Sequence, residues 1–133
     1  MHYTIGLDKE HGLVRLTFLG TVTLSLVDAS LEGTCSLLII NGLKKCLVDI
    51  SRSELSLSHS DLYFITTMIR PRCRLDVKTA VLARSDQMRL MSDLDLFAFN
   101  RCFDLKVYLG EEKALDWLGM NSMHAYERRK RDG

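Results

Sequence analysis

The sequence alternates between short strand-like runs and longer amphipathic segments, and this alternation constrains the fold more than any other feature. Apolar residues occupy every second position over residues 3–7 and again over residues 14–18. This period of two is typical of strands that are covered on one face. The polar residues 8–12 between them end in glycine, which predicts a turn and therefore an antiparallel hairpin. Gly20 is predicted to close the second strand.

From Thr23 the period changes to three and four residues, which predicts a helix that Gly42 ends at a left-handed position. The runs KCLVDI at residues 45–50 and KTAVLA at residues 78–83 are compact and apolar, as expected for strands covered on both faces. Between them, residues 51–57 are predicted to be a polar connection. The tetrapeptide SHSD at residues 58–61 then predicts a capping box and a helix that ends at Arg70, before Pro71.

The rest of the chain repeats this pattern. A helix is predicted to open at Ser85 and Asp86, a strand covers residues 105–109, and a short helix begins after Gly110. The predicted fold is therefore α/β, with a mixed sheet of about five strands, an antiparallel opening hairpin and about four helices. Parallel strands joined by helices favour right-handed crossovers. One domain is expected over residues 1–120, followed by a polar basic tail at residues 121–133.

Composition excludes several classes of protein. The 133 residues carry a formal net charge of +1 and are 47% hydrophobic, so nucleic acid and anionic membranes are not expected partners. No apolar run approaches the length of a membrane span, and the amino terminus has no signal-like region. The four cysteines show no metal-ligand spacing and are expected to be buried, reduced thiols. These features predict a cytoplasmic protein.

Motifs for catalysis are missing from the sequence. There is no GxSxG elbow, phosphate-binding loop, dinucleotide fingerprint or HExxH pair, so we expect no catalytic residues, no metal and no cofactor. Asp49 ends a predicted parallel strand, at the edge where open α/β sheets bind ligands. It is a candidate ligand-binding residue, although an aspartate at such a position commonly bonds a neighbouring loop amide instead.

The helix after residue 58 has more apolar surface than one sheet can cover. If Leu62 and Ile65 face the sheet, then Tyr63, Phe64 and Met68 point elsewhere. A neighbouring helix could cover them, or they could form a homodimer seam or a site for an apolar ligand or partner. Trp117 has two similar interpretations, as a packing aromatic or as an exposed recognition residue.

Five segments together carry a resemblance to a known family. They are YTIGLD at residues 3–8, GLVRLTFLG at 12–20, LVDI at 47–50, KTAVLA at 78–83 and EEKALDWL at 111–118. In order and spacing they resemble the SpoIIAA-like branch of the STAS domains over nearly all of residues 1–120. The resemblance implies a sheet of five strands with helices and a regulatory or binding module rather than an enzyme.

The best-studied members of that family are anti-sigma-factor antagonists, which carry a phosphorylatable serine in a D-S-S-G motif at the amino end of the helix after the third strand. This chain departs from the motif and reads ISRSELSLSHSD from residue 50. Ser58 and Ser60 are the candidate phosphoacceptors by position. Ser58 is also expected to be the helix cap, and the two interpretations remain open.

Three hypotheses about function follow. The first is a non-enzymatic interaction module that forms a homodimer and binds a protein partner. The second is a carrier or sensor of a small apolar, lipid-like ligand, which would need a cavity of roughly 300 Å³ or more. The third is an enzyme, which would need a histidine or cysteine close to Asp49.

Overall fold

The computed structural model describes residues 2–72, 76–100 and 103–119, without the side chains of residues 68–72. Seven strands and four α-helices alternate along this part of the chain. The strands are β1 (Tyr3–Asp8), β2 (Leu13–Phe18), β3 (Gly20–Val22), β4 (Lys45–Asp49), β5 (Ser53–Leu55), β6 (Lys78–Leu82) and β7 (Leu105–Tyr108). The helices are α1 (Leu24–Ile40), α2 (His59–Arg72), α3 (Met88–Asn100) and α4 (Glu111–Gly119), and a 3-10 turn (Ser85–Gln87) precedes α3.

Five of the strands form one mixed sheet in the order β1-β2-β4-β6-β7. The hairpin of β1 and β2 is antiparallel, with Tyr3 opposite Phe18 and Asp8 opposite Leu13, and Gly12 in its turn has a φ of 64°. The remaining pairs are parallel. Each parallel step needs a crossover, and α1, α2 and α3 supply it. The predicted α/β class, with a mixed sheet and an antiparallel opening hairpin, is confirmed.

The sheet separates two apolar layers. On one face, Leu16 and Phe18 of β2 pack in a single cluster with Leu62 of α2 and Met91 of α3. On the opposite face, a second cluster joins buried strand residues to α4; its members are Leu13, Leu47, Ala80, Leu82, Ala114 and Leu118. The central strands are therefore covered on both sides, as their continuous apolar runs predict. Burying one leucine side chain contributes about 1.5–3 kcal/mol.

Helix α1 has defined ends. The Thr23 hydroxyl accepts a hydrogen bond from the Leu26 amide at 3.3 Å, and Gly42 follows the helix with a φ of 63°. The Leu43 amide donates to the Leu38 carbonyl, so the last turn closes as expected for a glycine after a helix. Gly33 lies inside α1, where a Cβ would stand 2.8 Å from Cδ1 of Ile5. Glycine at this position allows α1 to approach β1 closely.

Three local predictions were wrong. Gly20 does not close a strand but begins β3, and the connection at residues 51–57 contains β5; the two short strands pair in parallel as a second sheet. Helix α2 continues to Arg72 instead of ending at Arg70. Proline has a helical φ and lacks only the amide hydrogen, so a helix can include Pro71 in its final turn. The predicted tail at residues 121–133 lies outside the described residues.

The expectation of four reduced thiols also needs correction. Cys35 on α1 is disulfide-bonded. Cys46 on β4 is free and buried, and this burial raises the pKa of its thiol to about 12. Because the thiolate is the reactive form, Cys46 is a structural residue of the core.

Candidate protein-interaction site

Asp49 lies at the carboxyl end of β4, as the sequence predicts, and is half-buried. Its Oδ1 atom accepts hydrogen bonds from the Ser51 amide at 2.9 Å and from the Ser51 hydroxyl at 2.6 Å. This is the local turn that aspartate commonly makes with the residue two positions ahead. One of the two carboxylate oxygens is therefore used to shape the loop after β4.

Two residues before α3 hold the same loop from the other side. The Gln87 side-chain amide donates to the carbonyls of Ile50 at 2.9 Å and Ser53 at 3.0 Å, and its oxygen accepts from the Arg84 amide. The Arg84 guanidinium donates to the carbonyls of Ser51 and Ser53. The loops after β4 and β6 are thus joined by hydrogen bonds to backbone carbonyls, which gives this edge of the sheet a fixed shape.

The first turn of α2 contains the predicted capping box. The Asp61 amide donates to the Ser58 hydroxyl at 3.1 Å, and the Ser58 amide donates to the Asp61 carboxylate at 2.9 Å. Both bonds satisfy amides that the helix leaves unpaired. Ser58 and Ser60 are exposed. The cap interpretation of Ser58 is confirmed, and it places the Asp61 carboxylate next to the Ser58 backbone.

An apolar surface lies on the outer side of α2 and α3. The Tyr63 ring contacts the rings of Phe64 and Phe97, with centroids 6.4 Å and 6.5 Å apart. On α3, Leu96 precedes Phe97 and lies one turn before Phe99. We call these five residues the α2–α3 surface. Phe64 is 54% exposed, Leu96 55% and Phe99 77%, so neighbouring helices leave much of this surface uncovered.

The alignment of the two helices explains why this surface forms. His59 Nδ1 lies 2.9 Å from the Asp93 carboxylate, and one turn further along each helix Tyr63 meets Phe97. Residues four apart lie on one side of a helix, so the His59–Asp93 pair and the Tyr63–Phe97 pair fit one parallel alignment of α2 with α3. Leu62 and Thr66 are buried, and Phe64, two residues from each of them, lies across α2 from both. Phe64 therefore points away from the core.

Two other candidate regions have structural roles. Trp117 stacks beside Tyr108 at 6.0 Å, and Lys78 Nζ lies 4.4 Å from the Trp117 ring centroid, which confirms the packing interpretation. Asp8, Glu10 and His11 come close together in the hairpin turn. The Arg15 guanidinium lies 2.8 Å from Asp8 and 2.6 Å from Glu111, so this cluster already has a cation as its partner.

The predicted site residues fall into two groups. Asp49 belongs to the loop network, whereas Tyr63 and Phe64 belong to the α2–α3 surface; the side chain of Met68 lies outside the described part. Sequence analysis missed Arg84 and Gln87, because hydrogen bonds to backbone carbonyls leave no periodic signal. It also missed Leu96 and Phe99, which are exposed on α3.

Comparison with known proteins supports the fold. No protein-family model and no curated protein matches the sequence. Among solved structures, an anti-sigma factor antagonist from Mycobacterium paratuberculosis is similar with a TM-score of 0.53 and 16% identity, over 87% of this chain and 92% of that chain. An uncharacterised protein with a SpoIIAA-like fold from Shewanella loihica has a TM-score of 0.58 and 17% identity, over 87% and 91% of the two chains.

The unphosphorylated form of the anti-sigma factor antagonist SpoIIAA is similar as well, with a TM-score of 0.52 and 16% identity, over 86% of this chain and 94% of that chain. At this level of identity the likeness concerns the fold. The chain thus has a SpoIIAA-like α/β fold, as the resemblance of its sequence motifs implies. No helix within the described ranges has both the length and the apolar character needed to cross a membrane.

Proposed function

We propose that this protein is a non-enzymatic regulatory module that binds other protein chains through the α2–α3 surface, and that it forms a homodimer there. The observation that carries the proposal is that Phe64, Leu96 and Phe99 are exposed on the two helices that the Tyr63–Phe97 contact joins. Several large exposed apolar residues on neighbouring helices favour an interaction site. Two of the structural neighbours are named as anti-sigma factor antagonists, and these names favour a regulatory role.

A second copy of this chain suits the α2–α3 surface because an apolar surface can pack against the same apolar surface of another copy. Both helices offer aromatic rings and α3 adds Leu96, and aromatic residues near the centre of an interface contribute most to its stability. A twofold axis across α2 and α3 would place the same residues of both copies against one another, as closed dimers require. The half-exposed rings would then be covered without any change in the fold.

Catalysis is not part of this proposal because the polar groups at the sheet edge already have structural partners. Asp49 bonds Ser51, and Arg84 and Gln87 bond the backbone of the neighbouring loop. A general base or nucleophile must be able to reach a substrate atom. These groups instead form a rigid platform next to the amino end of α2.

If phosphorylation regulates this surface, we propose that Ser60 is the acceptor. The Ser58 hydroxyl is engaged by the Asp61 amide, and the Asp61 carboxylate would repel a phosphate placed there. Ser60 is exposed in the first turn of α2, where the helix dipole favours negative charge. Phosphopeptide mapping of protein from its native cells should find Ser60 modified and Ser58 unmodified; two unmodified serines under stress and starvation would contradict this proposal.

Sedimentation equilibrium of the wild type and Phe64→Lys tests the association. The wild type should sediment as a dimer at high concentration and dissociate on dilution. Phe64→Lys should remain a monomer at the same concentrations, because the dimer would have to bury an unpaired ammonium group.

Ile40→Lys is the matched control. Ile40 is 79% exposed at the end of α1, outside the α2–α3 surface, and a cation suits the carboxyl end of a helix. This variant should dimerise like the wild type. A wild type that is monomeric at every concentration, or equal association of all three proteins, would overturn the proposed homodimer.

A further inference from the structure

We propose that the outer edge of β1 binds an extended segment of a partner protein, which adds a sixth, antiparallel strand to the five-stranded sheet. The segment would be apolar at every second position and uncharged at the positions between. This site is independent of the α2–α3 surface and goes beyond the function proposed above. Two observations point to it: a row of outward-facing backbone groups along β1, and an uncharged side of α1 that flanks the same edge.

The register of the hairpin shows which backbone groups of β1 face outward. β1 lies at one end of the sheet and pairs with β2 alone among the described strands. One position beyond this register, the Leu19 amide donates to the His2 carbonyl. Hydrogen-bonded pairs alternate with pairs that are not hydrogen-bonded in an antiparallel ladder. The amides and carbonyls of Tyr3, Ile5 and Leu7 therefore point away from β2, toward the open edge.

The two edges of the sheet differ in their protection against further pairing. Natural edge strands are commonly short or carry a lysine, a proline or a bulge. At the other edge, β7 has four residues and includes Lys106. In contrast, β1 has six residues, contains neither lysine nor proline, and pairs with β2 in an unbroken register. The fold thus disfavours strand addition at β7 and leaves β1 able to accept a strand.

The side of α1 next to β1 determines which side chains the added strand can carry. Gly33 faces this side, since a Cβ there would stand 2.8 Å from Cδ1 of Ile5. Ala29, Gly33 and Ile40 are exposed. A charged group placed over them would lose water without gaining a partner, so the strand residues on this face must be apolar. The positions of α1 that share this side are all uncharged; they are Leu26, Ala29, Gly33, Leu37 and Ile40.

An extended chain is the occupant that matches the backbone of this edge. Outward-facing groups recur at every second residue, about 7 Å apart, which is the spacing that another strand presents. A helix uses its backbone groups internally and cannot supply such a row. In strand addition, main-chain hydrogen bonds provide affinity and alternate side chains provide specificity. On the other face of β1, Thr4 and Gly6 are exposed and uncharged, so small polar residues of the partner suit that face.

Amide-detected NMR of the full chain with two synthetic peptides tests the inference. The first peptide alternates valine and threonine over seven residues and has a lysine at each end for solubility. The second is identical except that its valines are N-methylated, which removes the donors that would face β1. The first peptide should bind in a saturable manner and shift the amide signals of Tyr3, Ile5 and Leu7. At about 80% occupancy, hydrogen exchange of these amides should slow about 5-fold. The N-methylated peptide should do neither.

Leu7→Pro separates the backbone of the edge from its side chains. Proline removes an outward-facing amide without removing a hydrogen bond to β2, and edge strands tolerate it there. Leu7 is 40% exposed, so the loss of its side chain should leave the fold intact. Leu7→Pro should weaken binding of the first peptide about 10-fold or more, whereas Leu7→Thr, which keeps the amide, should bind within about 3-fold of the wild type.

Three results would overturn the proposal. The first is the absence of saturable binding at millimolar peptide. The second is equal binding of the two peptides, or equal affinity of Leu7→Pro and Leu7→Thr. The third is a concentration-dependent shift of the Tyr3, Ile5 and Leu7 amides without peptide, because a second copy of the chain would then occupy the edge.

Discussion

Gln87 joins two loops through one buried amide group. Its side chain makes three hydrogen bonds to the backbone of Ile50, Ser53 and Arg84. Gln87→Met keeps the size of the side chain but removes all three bonds. The Arg84 amide then loses its buried partner, while the carbonyls of Ile50 and Ser53 keep hydrogen bonds from Ser53 and Arg84. We expect the free energy of unfolding to fall by about 2 kcal/mol, since buried polar groups that lose a partner cost about 1–3 kcal/mol.

Urea unfolding with Ser92→Ala as the control measures this loss. Ser92 is exposed and its hydroxyl bonds the Arg89 carbonyl of its own helix, so its replacement should have little effect. A change below about 0.5 kcal/mol for Gln87→Met would be the size of an ordinary surface substitution. That result would contradict a structural role for the loop network.

Asp8 makes the stability of the fold depend on pH. Burial acts to raise the pKa of Asp8, but hydrogen bonds from Arg15 and His11 outweigh it and lower the pKa from 3.8 to about 2. A carboxylate with a lowered pKa stabilises the fold above its unfolded pKa, and this stabilisation is lost as the pH falls through about 2.

Comparison of the wild type with Asp8→Asn at several pH values tests this dependence. At pH 7 the wild type should be more stable by about 1–2 kcal/mol. This is less than the full lowering of the Asp8 pKa implies, because Arg15 is partly exposed to solvent. The difference should shrink between about pH 4 and pH 2. Asp116→Asn on the exposed side of α4 controls for net charge. A difference that does not change with pH would contradict the assigned ion pair.

At the scale of elements, Gly42 ends α1 in the left-handed conformation that the sequence predicts. It follows α1 with a φ of 63°, a conformation that residues with a Cβ adopt at a cost. Gly42→Ala should lower the free energy of unfolding by about 1–2 kcal/mol, although nothing lies close enough for the new methyl group to clash. Gly110→Ala is the matched control, because Gly110 also has open space around it but no positive φ. Equal effects of the two substitutions on denaturant unfolding would contradict the assignment.

Sequence analysis could predict the main elements because each has a periodic signal of sufficient length. The alternation in β1 and β2, the apolar run in β4 and the capping box of α2 all specify their structures locally. Strands β3 and β5 have three residues each, which is too short for a period of two to be recognised. Their pairing depends on the tertiary approach of the chain after β2 to the loop after β4, which no local pattern encodes.

The candidate site shows the same division between local and tertiary information. Excess aromatic character on α2 predicts the contribution of Tyr63 and Phe64 to the α2–α3 surface. The parallel alignment with α3, which brings Phe97 to Tyr63, depends on the crossover geometry of the whole sheet. Arg84 could not be predicted either, because its partners are carbonyls of Ser51 and Ser53, more than 30 residues away in sequence.

At the scale of the whole molecule, the two faces of the sheet differ in the helices that cover them. One face packs against α4 through a small cluster that includes Leu118, whereas the other carries the larger cluster beneath α2 and α3. The α2–α3 surface lies on the outside of this second layer, where Phe64 and Phe99 are exposed.

The central claim is that the α2–α3 surface binds a second copy of the chain, and concentration-dependent NMR of the full protein tests it most directly. Between micromolar and millimolar protein, the signals of Phe64, Leu96 and Phe99 should shift together along one binding curve, while those of exposed Ile40 and Leu109 stay unchanged. If the signals of the α2–α3 surface are independent of concentration, or if only Ile40 and Leu109 respond, the claim is wrong.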